Sequence, residues 1–289
     1  MRTQGGTPPR ALQSLRVLDL SQGIAGPYCT KLLADYGASV VKVEPPEEGD
    51  PTRQVGPFPN DVPHQERSAL FLHLNTSKRS ITLDVSSVQG RFLLKQLLPH
   101  FNVLVESYTP GTLTELGLPD SFISQQHQQM VVTSITPYGQ TGPYSNYRFT
   151  ELTVFGTGGG MYREGFPDRE PLKLGGNAGQ YFAGSSAAVA TLAAALRARL
   201  TGEGEWLDIS IMECLAGHPQ QVTRGLSYVY SGHIDRRQPP HTPLMPGTAA
   251  FASGTFPCKD GHVTFLPLGE RMWPNIVQML GMPELLVDP

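Results

Sequence analysis

Four short stretches carry residue types able to do chemistry. Lys78 and Arg79 stand side by side in Thr76-Ser77-Lys78-Arg79, at a turn. Adjacent cations of this kind can grip a phosphate, or simply keep a turn solvated. Residues 175–180 (GGNAGQ) have too little side chain to build a core. Their backbone can approach a ligand closely, and the helix start after them offers N–H donors; the same composition also makes an ordinary flexible connection. Gly23 and Gly26 lie in a loop after a first apolar strand, and Glu44 ends a second. An acid there matches the ribose-binding carboxylate of dinucleotide folds, but the glycine spacing falls short of GxGxxG, and a strand-end acid is more often a solvated one. Cys214 and His218 lie four apart, the spacing at which a thiol and an imidazole meet on one helix face, as a thiol hydrolase would need. Cys214 follows an apolar strand, however, where a thiol is usually buried filler.

The elements that must position these residues alternate between strand and helix. Residues 15–20 (LRVLDL) read as a buried strand, and a loop then opens a helix that Pro27 starts and Gly37 ends. Residues 38–44 (ASVVKVE) are a second apolar strand, completing a βαβ unit with a parallel pair. Residues 45–67 form a polar, proline-rich surface excursion. Short strands at 70–75 and 80–85, a helix at 89–98, a strand at 102–106, a short helix at 112–116 and a strand at 130–135 follow. Residues 151–161 read as a small-residue helix or an extended segment. The chain is organised around 171–214: the glycine-rich loop, a helix at 181–200 built of Ala, Gly and Ser, and a strand at 206–212. Val189, Leu192 and Leu196 recur on that helix at helical spacing, and Thr201-Gly202 ends it. A helix is expected to run from Cys214 through His218 to about residue 230. This alternation predicts an α/β fold with an open, doubly wound sheet and ligands at the strand C-terminal ends. A hairpin at 254–266, turning at Lys259-Asp260-Gly261, and a helix at 270–280 stand apart behind a proline-rich stretch. The expected divisions are a disordered tail at 1–14, a large domain at 15–236, a linker at 237–253 and a partial small domain at 254–289.

Charge and cysteine usage narrow the classes. A formal net charge of -3 gives no reason to expect nucleic acid or an anionic membrane as partner. Cys29, Cys214 and Cys258 are odd in number and widely spaced, so neither a disulfide framework nor a zinc pattern follows, no metal is expected, and a reducing compartment is. No apolar run reaches transmembrane length, and the basic opening lacks a signal-peptide centre. The expected location is the cytoplasm, or the mitochondrial matrix if the basic opening is a transit segment.

Taken together, LRVLDLSQGIAGPYCTKLLADYGASVVKVEPPEEGDPTR, NTSKRSITLD, VESYTPGTLTELG, YGQTGPY and RARLTGEGEWLDIS resemble the class III CoA-transferases. That group includes formyl-CoA, carnitine and succinyl-CoA-dependent enzymes, with α-methylacyl-CoA racemase as a relative. The likeness runs in unbroken order over residues 15–289 and reaches KDGHVTF and RMWPNIVQMLGMPEL. It implies a Rossmann-like, doubly wound large domain, the start of a smaller α+β domain, and a homodimer of interlocked rings. It also implies a CoA thioester and a small carboxylic acid as substrates, with coenzyme A as a substrate rather than a covalently bound cofactor.

In the family an aspartate carboxylate attacks the acyl thioester and forms a mixed anhydride, which CoA converts to an aspartyl-CoA thioester. A second carboxylate then takes over the CoA, and backbone donors stabilise the oxyanions. That aspartate stands in a D-x-x-A-G pattern before the small-residue helix. The matching residues here are Gln180-Tyr181-Phe182-Ala183-Gly184, so Gln180 holds the nucleophile's position, and its neutral amide cannot form that anhydride. Glu151 is the nearest matching carboxylate, the racemase histidine matches Thr150, and a basic residue of the family matches Glu115. The implied CoA cradle consists of Gly23, Ile24 and Ala25, Lys78 and Arg79, Tyr108, Gly111 and Thr112, and Tyr138 and Gly139. Two outcomes follow: CoA transfer with Glu151 in the aspartate's place, or a catalytically silent CoA-binding homologue or subunit. A thiol hydrolase using Cys214 and His218, and a scaffold without a ligand, are the readings outside this class.

Overall fold

The computed structural model describes residues 10–234, 236–237, 254–265 and 270–286. The start of the expected tail and nearly all of the expected linker lie outside these residues. Strands β1 (Arg16–Asp19), β2 (Ser39–Glu44), β3 (Arg79–Thr82), β4 (Val103–Glu106), β5 (Val131–Thr136) and β6 (Glu205–Ser210) form one six-stranded sheet. Every neighbouring pair is parallel, in the order β3-β2-β1-β4-β5-β6. This is the doubly wound order, and it reverses direction between β1 and β4. Parallel strands covered on both faces need apolar residues at successive positions. Val17, Val103, Val105 and Val131 face one core, and their neighbours Leu18, Leu104 and Val132 face the other.

Helices α1 (Ala25–Asp35), α2 (Ala69–Leu74), α3 (Val88–Leu97), α4 (Thr112–Glu115) and α5 (Asp120–Gln126) come before β5. After it come α6 (Glu151–Thr157), α7 (Ala178–Thr201), α8 (Ile211–Ala216) and α9 (Pro219–Ser231). The first core is closed by α1, α6, α7 and α8, and the second by α3, α4 and α5. Strands β7 (Gly254–Cys258) and β8 (Gly261–Phe265) form the expected antiparallel hairpin, and α10 (Trp273–Leu280) follows. No helix among the described residues is long and apolar enough to cross a membrane.

Several expectations are corrected. The apolar run at 70–75 is helix α2, not a strand: Ser68 Oγ accepts from the Phe71 N–H at 3.1 Å, a serine cap, and ALFLHL lacks β-branched residues. Helix α7 buries its alanines (Ala183, Ala187, Ala188, Ala194, Ala198), while Val189 and Leu196 face outward. The small residues are therefore its core face. Strand β6 stops at Ser210, because that hydroxyl accepts from the Glu213 N–H at 3.2 Å and starts α8. Glycine 217 then ends α8, so no single helix carries both Cys214 and His218.

Candidate functional site

The strand order reverses between β1 and β4, and the C-terminal edge of the sheet at such a reversal is where a doubly wound fold has its ligand crevice. On one side Gly23 takes a positive φ of +75° that L side chains avoid, Ile24 caps α1 and Ala25 begins it. The turn is tight: a Cβ on Gly26 would lie 2.2 Å from Ser21 Cβ. On the other side Gly111, at φ +91°, leads into Thr112 at the start of α4. Ser107 fastens the two sides together. The Gln22 N–H donates to Ser107 Oγ at 2.8 Å, and the Ser107 hydroxyl donates to the Gln22 carbonyl at 3.2 Å. The Tyr108 N–H donates to Glu106 Oε2 at 2.6 Å, and burial followed by the charges of Glu106 and Asp19 pushes the Tyr108 hydroxyl up to about 12. One strand further out, Tyr138 and Gly139 follow β5, with the Tyr138 ring 6.2 Å from that of Tyr144.

Gln180 sits in the first turn of α7, and Glu151 sits in the first turn of α6. The Thr150–Thr153 capping box fixes the start of α6, so Thr150 serves the backbone there. Glu151 Oε1 accepts from the Gly179 N–H at 2.7 Å, and Glu151 Oε2 accepts from Gln180 Nε2 at 3.3 Å. One turn on, on the same stripe as Gln180, a Cβ at Gly184 would lie 2.6 Å from the Ala25 carbonyl oxygen. No side chain separates α7 from the first turn of α1 at that point. The position of Gln180 is thus tied to the crevice through backbone contact. Beside it Tyr181 meets Tyr28 edge-on at 4.8 Å, and His73 lies 6.3 Å from Tyr181.

The geometry splits the cation pair. The Lys78 side chain is 2% exposed, and its Nζ donates to Asp19 Oδ2 at 3.1 Å, the Pro27 carbonyl at 2.9 Å and Asn75 Oδ1 at 2.8 Å. Three donors meet three acceptors inside the protein. Arg79 is exposed, with Nη2 donating to Ser39 Oγ at 3.2 Å. Glu44 is buried rather than solvated. Arg53 binds both its oxygens, at 2.7 and 3.0 Å, joined by the Ser80 hydroxyl at 2.6 Å and the Asp50 N–H at 3.0 Å. That consumes the carboxylate a ribose would need and pins the 45–67 excursion to the sheet.

Cys214 lies in α8 and His218 at the N-cap of α9, so the two do not share the one helix face that their spacing suggested. Burial pushes the Cys214 thiol up, against activation, and the His218 ring packs on Phe182 at 4.8 Å. Reading the sequence missed Ser107, Asp19 and Lys42. Their only local signal was polar residues inside or just after apolar strands, at the edge where a doubly wound sheet binds ligands.

The family model for CoA-transferase family III matches residues 12–289. The succinyl-CoA–D-citramalate CoA-transferase of Chloroflexus aurantiacus is 34% identical, over 98% of this chain and 68% of its own length. The succinyl-CoA:glutarate CoA-transferase of Mus musculus is 31% identical over 96% of this chain, which spans 62% of that protein. The crystal structure of a CAIB/BAIF family protein from Brucella suis superposes with a TM-score of 0.81 at 33% identity, covering 96% of this chain and 72% of that one. On these matches, and with the doubly wound strand order, the chain belongs to CoA-transferase family III.

Proposed function

We propose that this chain binds a CoA thioester in the β1/β4 crevice, within a fold built to move CoA between carboxylic acids, and that position 180 carries no nucleophile. The observation that carries this reading is the Gln180–Glu151 contact beside the α1 start: an amide, donating to a carboxylate, stands where the family's attacking group belongs. A neutral amide oxygen does not open a thioester to an anhydride, so turnover through residue 180 is absent and binding remains. Arg79 Nη2 bonds Ser39 at the start of β2, on the edge of the sheet away from the crevice, so the expected cation pair is left out of the proposed phosphate contact. Relatives named for succinyl-CoA make that thioester the first donor to try.

A second reading, attack by Glu151 itself, is favoured by its place at the α7 start with one oxygen on a backbone N–H. One experiment separates the two. The protein is mixed with succinyl-CoA, quenched with hydroxylamine, and each carboxylate is mapped by mass spectrometry. The expected result is no adduct in the wild type and an adduct at position 180 in Gln180→Asp, together with exchange of labelled succinate into CoA thioester. An adduct at Glu151 in the wild type establishes the second reading. A wild type that does not bind CoA overturns the first, and a folded Gln180→Asp protein that binds CoA but exchanges nothing shows that the site lacks more than its nucleophile. The family's interlocked homodimer is carried over with this proposal, and the outward Val189, Leu196 and Leu200 on α7 give it an apolar surface to bury.

A further inference from the structure

We propose that Lys78 is a positioning residue for the CoA crevice, holding the β1–α1 loop in its ligand-receiving shape from inside the protein together with Lys42, rather than touching the ligand. This rests on reading the crevice as the CoA site.

Two lysines with almost no exposed side chain underlie this loop, Lys42 at 1% and Lys78 at 2%. Lys42 Nζ donates to the Ser21 carbonyl at 2.7 Å and lies 2.8 Å from Asp50 Oδ2. Lys78 Nζ reaches Asp19 at the end of β1 and the Pro27 carbonyl in the first turn of α1, one contact on each side of the loop. Asp19 in turn accepts from the Ser21 N–H at 3.0 Å and from the Thr30 hydroxyl at 2.6 Å. Ser21 is therefore gripped through its N–H by Asp19 and through its carbonyl by Lys42. Gln22, next to it, is held by Ser107. Each ammonium has its own carboxylate, Asp19 for Lys78 and Asp50 for Lys42, as buried charges require. A phosphate grip needs donors turned outward, and Lys78 has none left.

The arrangement has a pH signature. The charged and titratable groups facing Lys78 are Asp19 from β1, Lys42 from β2 and Cys29 from α1; its neutral partners are Asn75 and the Pro27 carbonyl. Burial pulls the Lys78 ammonium down to about 8, with Asp19 opposing and Lys42 adding to the fall. Above that pH the neutral amine has two donors for three acceptors, one acceptor is released, and the loop loosens. Global stability moves the other way. Between the folded value of about 8 and the ordinary 10.5 the unfolded chain binds more protons, so this group makes the fold more stable as pH rises. Falling affinity without falling stability over one pH window is not what a merely structural lysine produces.

The test compares wild type, Lys78→Met, Lys78→Arg and Asn75→Ala. Amide exchange over residues 20–25 is measured without ligand, and affinity for CoA and 3′-dephospho-CoA is measured against pH and salt. Exchange is expected to quicken in Lys78→Met and less in Asn75→Ala. Affinity for both ligands is expected to drop by the same factor, about tenfold or more, with unchanged salt dependence. Lys78→Arg should restore part of the loss, and the wild-type decline above about pH 8 should vanish in Lys78→Met, which controls for ionisation of the ligand. Unchanged exchange, or a loss confined to CoA or accompanied by a flatter salt dependence, overturns the proposal in favour of direct phosphate contact. If Lys78→Met does not fold, Asn75→Ala decides by the same exchange reading. A wild type that binds neither ligand removes the reading of the crevice as a CoA site, while the exchange comparison still decides whether Lys78 holds the loop.

Discussion

Arg53 closes on Glu44 through two nitrogens and lies 3.7 Å over the Phe71 ring, so one side chain holds the long excursion, β2 and α2 together. Arg53→Met leaves a buried carboxylate without its counter-charge and is expected to cost about 2–3 kcal/mol, read as a lower urea midpoint with an unchanged slope. Acid acts on the same kind of group. Burial alone would push the carboxyls of Asp19 and Glu44 up, but their ammonium, guanidinium, hydroxyl and N–H partners hold both at about 2. Between the ordinary values of 3.8 and 4.5 and the folded value of about 2, the unfolded chain binds more protons. Stability from these pairs is therefore full above about pH 4.5 and is lost as pH falls toward about 2. A urea titration repeated across that range is expected to show the loss, with a shallower slope in Glu44→Gln. None of these pairings was legible in the sequence. Lys78 meets Asp19 across 59 residues and Gln180 meets Glu151 across 29, and nothing local distinguishes such a lysine from a solvated one.

Helices α1 and α7 touch backbone to backbone at Ala25 and Gly184. Gly184→Val forces them apart and is expected to lower stability by about 1–3 kcal/mol in thermal melts, and to weaken CoA binding because the start of α1 moves with the contact. Ser107→Ala leaves the Gln22 N–H without its partner and should cost about 1–2 kcal/mol, with faster amide exchange at Gln22. Strands and most helices were legible because apolar runs, glycine stops and the period of alternation are local properties. Helix α2 was not, since a six-residue apolar run fits either state until its serine cap is seen. The close packing of α7 was legible in its Ala, Gly and Ser content, since the approach to α1 admits only small residues there.

Across the whole molecule the doubly wound order could be anticipated as a class, but the switch between β1 and β4 emerges only from strand pairing. It fixes where a ligand enters. Amide exchange with and without CoA is expected to show protection at residues 20–25 and 107–112. The polar cleft at the opposite edge, lined by Arg16, Asn102 and His127, should be unaffected. Protection at that far edge alone would contradict the site. The direct seating of α7 on α1 has one more consequence. With no side chain between them there is nothing to trim or enlarge, so that wall cannot be remodelled residue by residue. Accommodation of longer or branched acids must come from the side chains that flank this contact, where Tyr28, Tyr181 and His73 offer exchangeable groups, and variety in acyl preference should accumulate there.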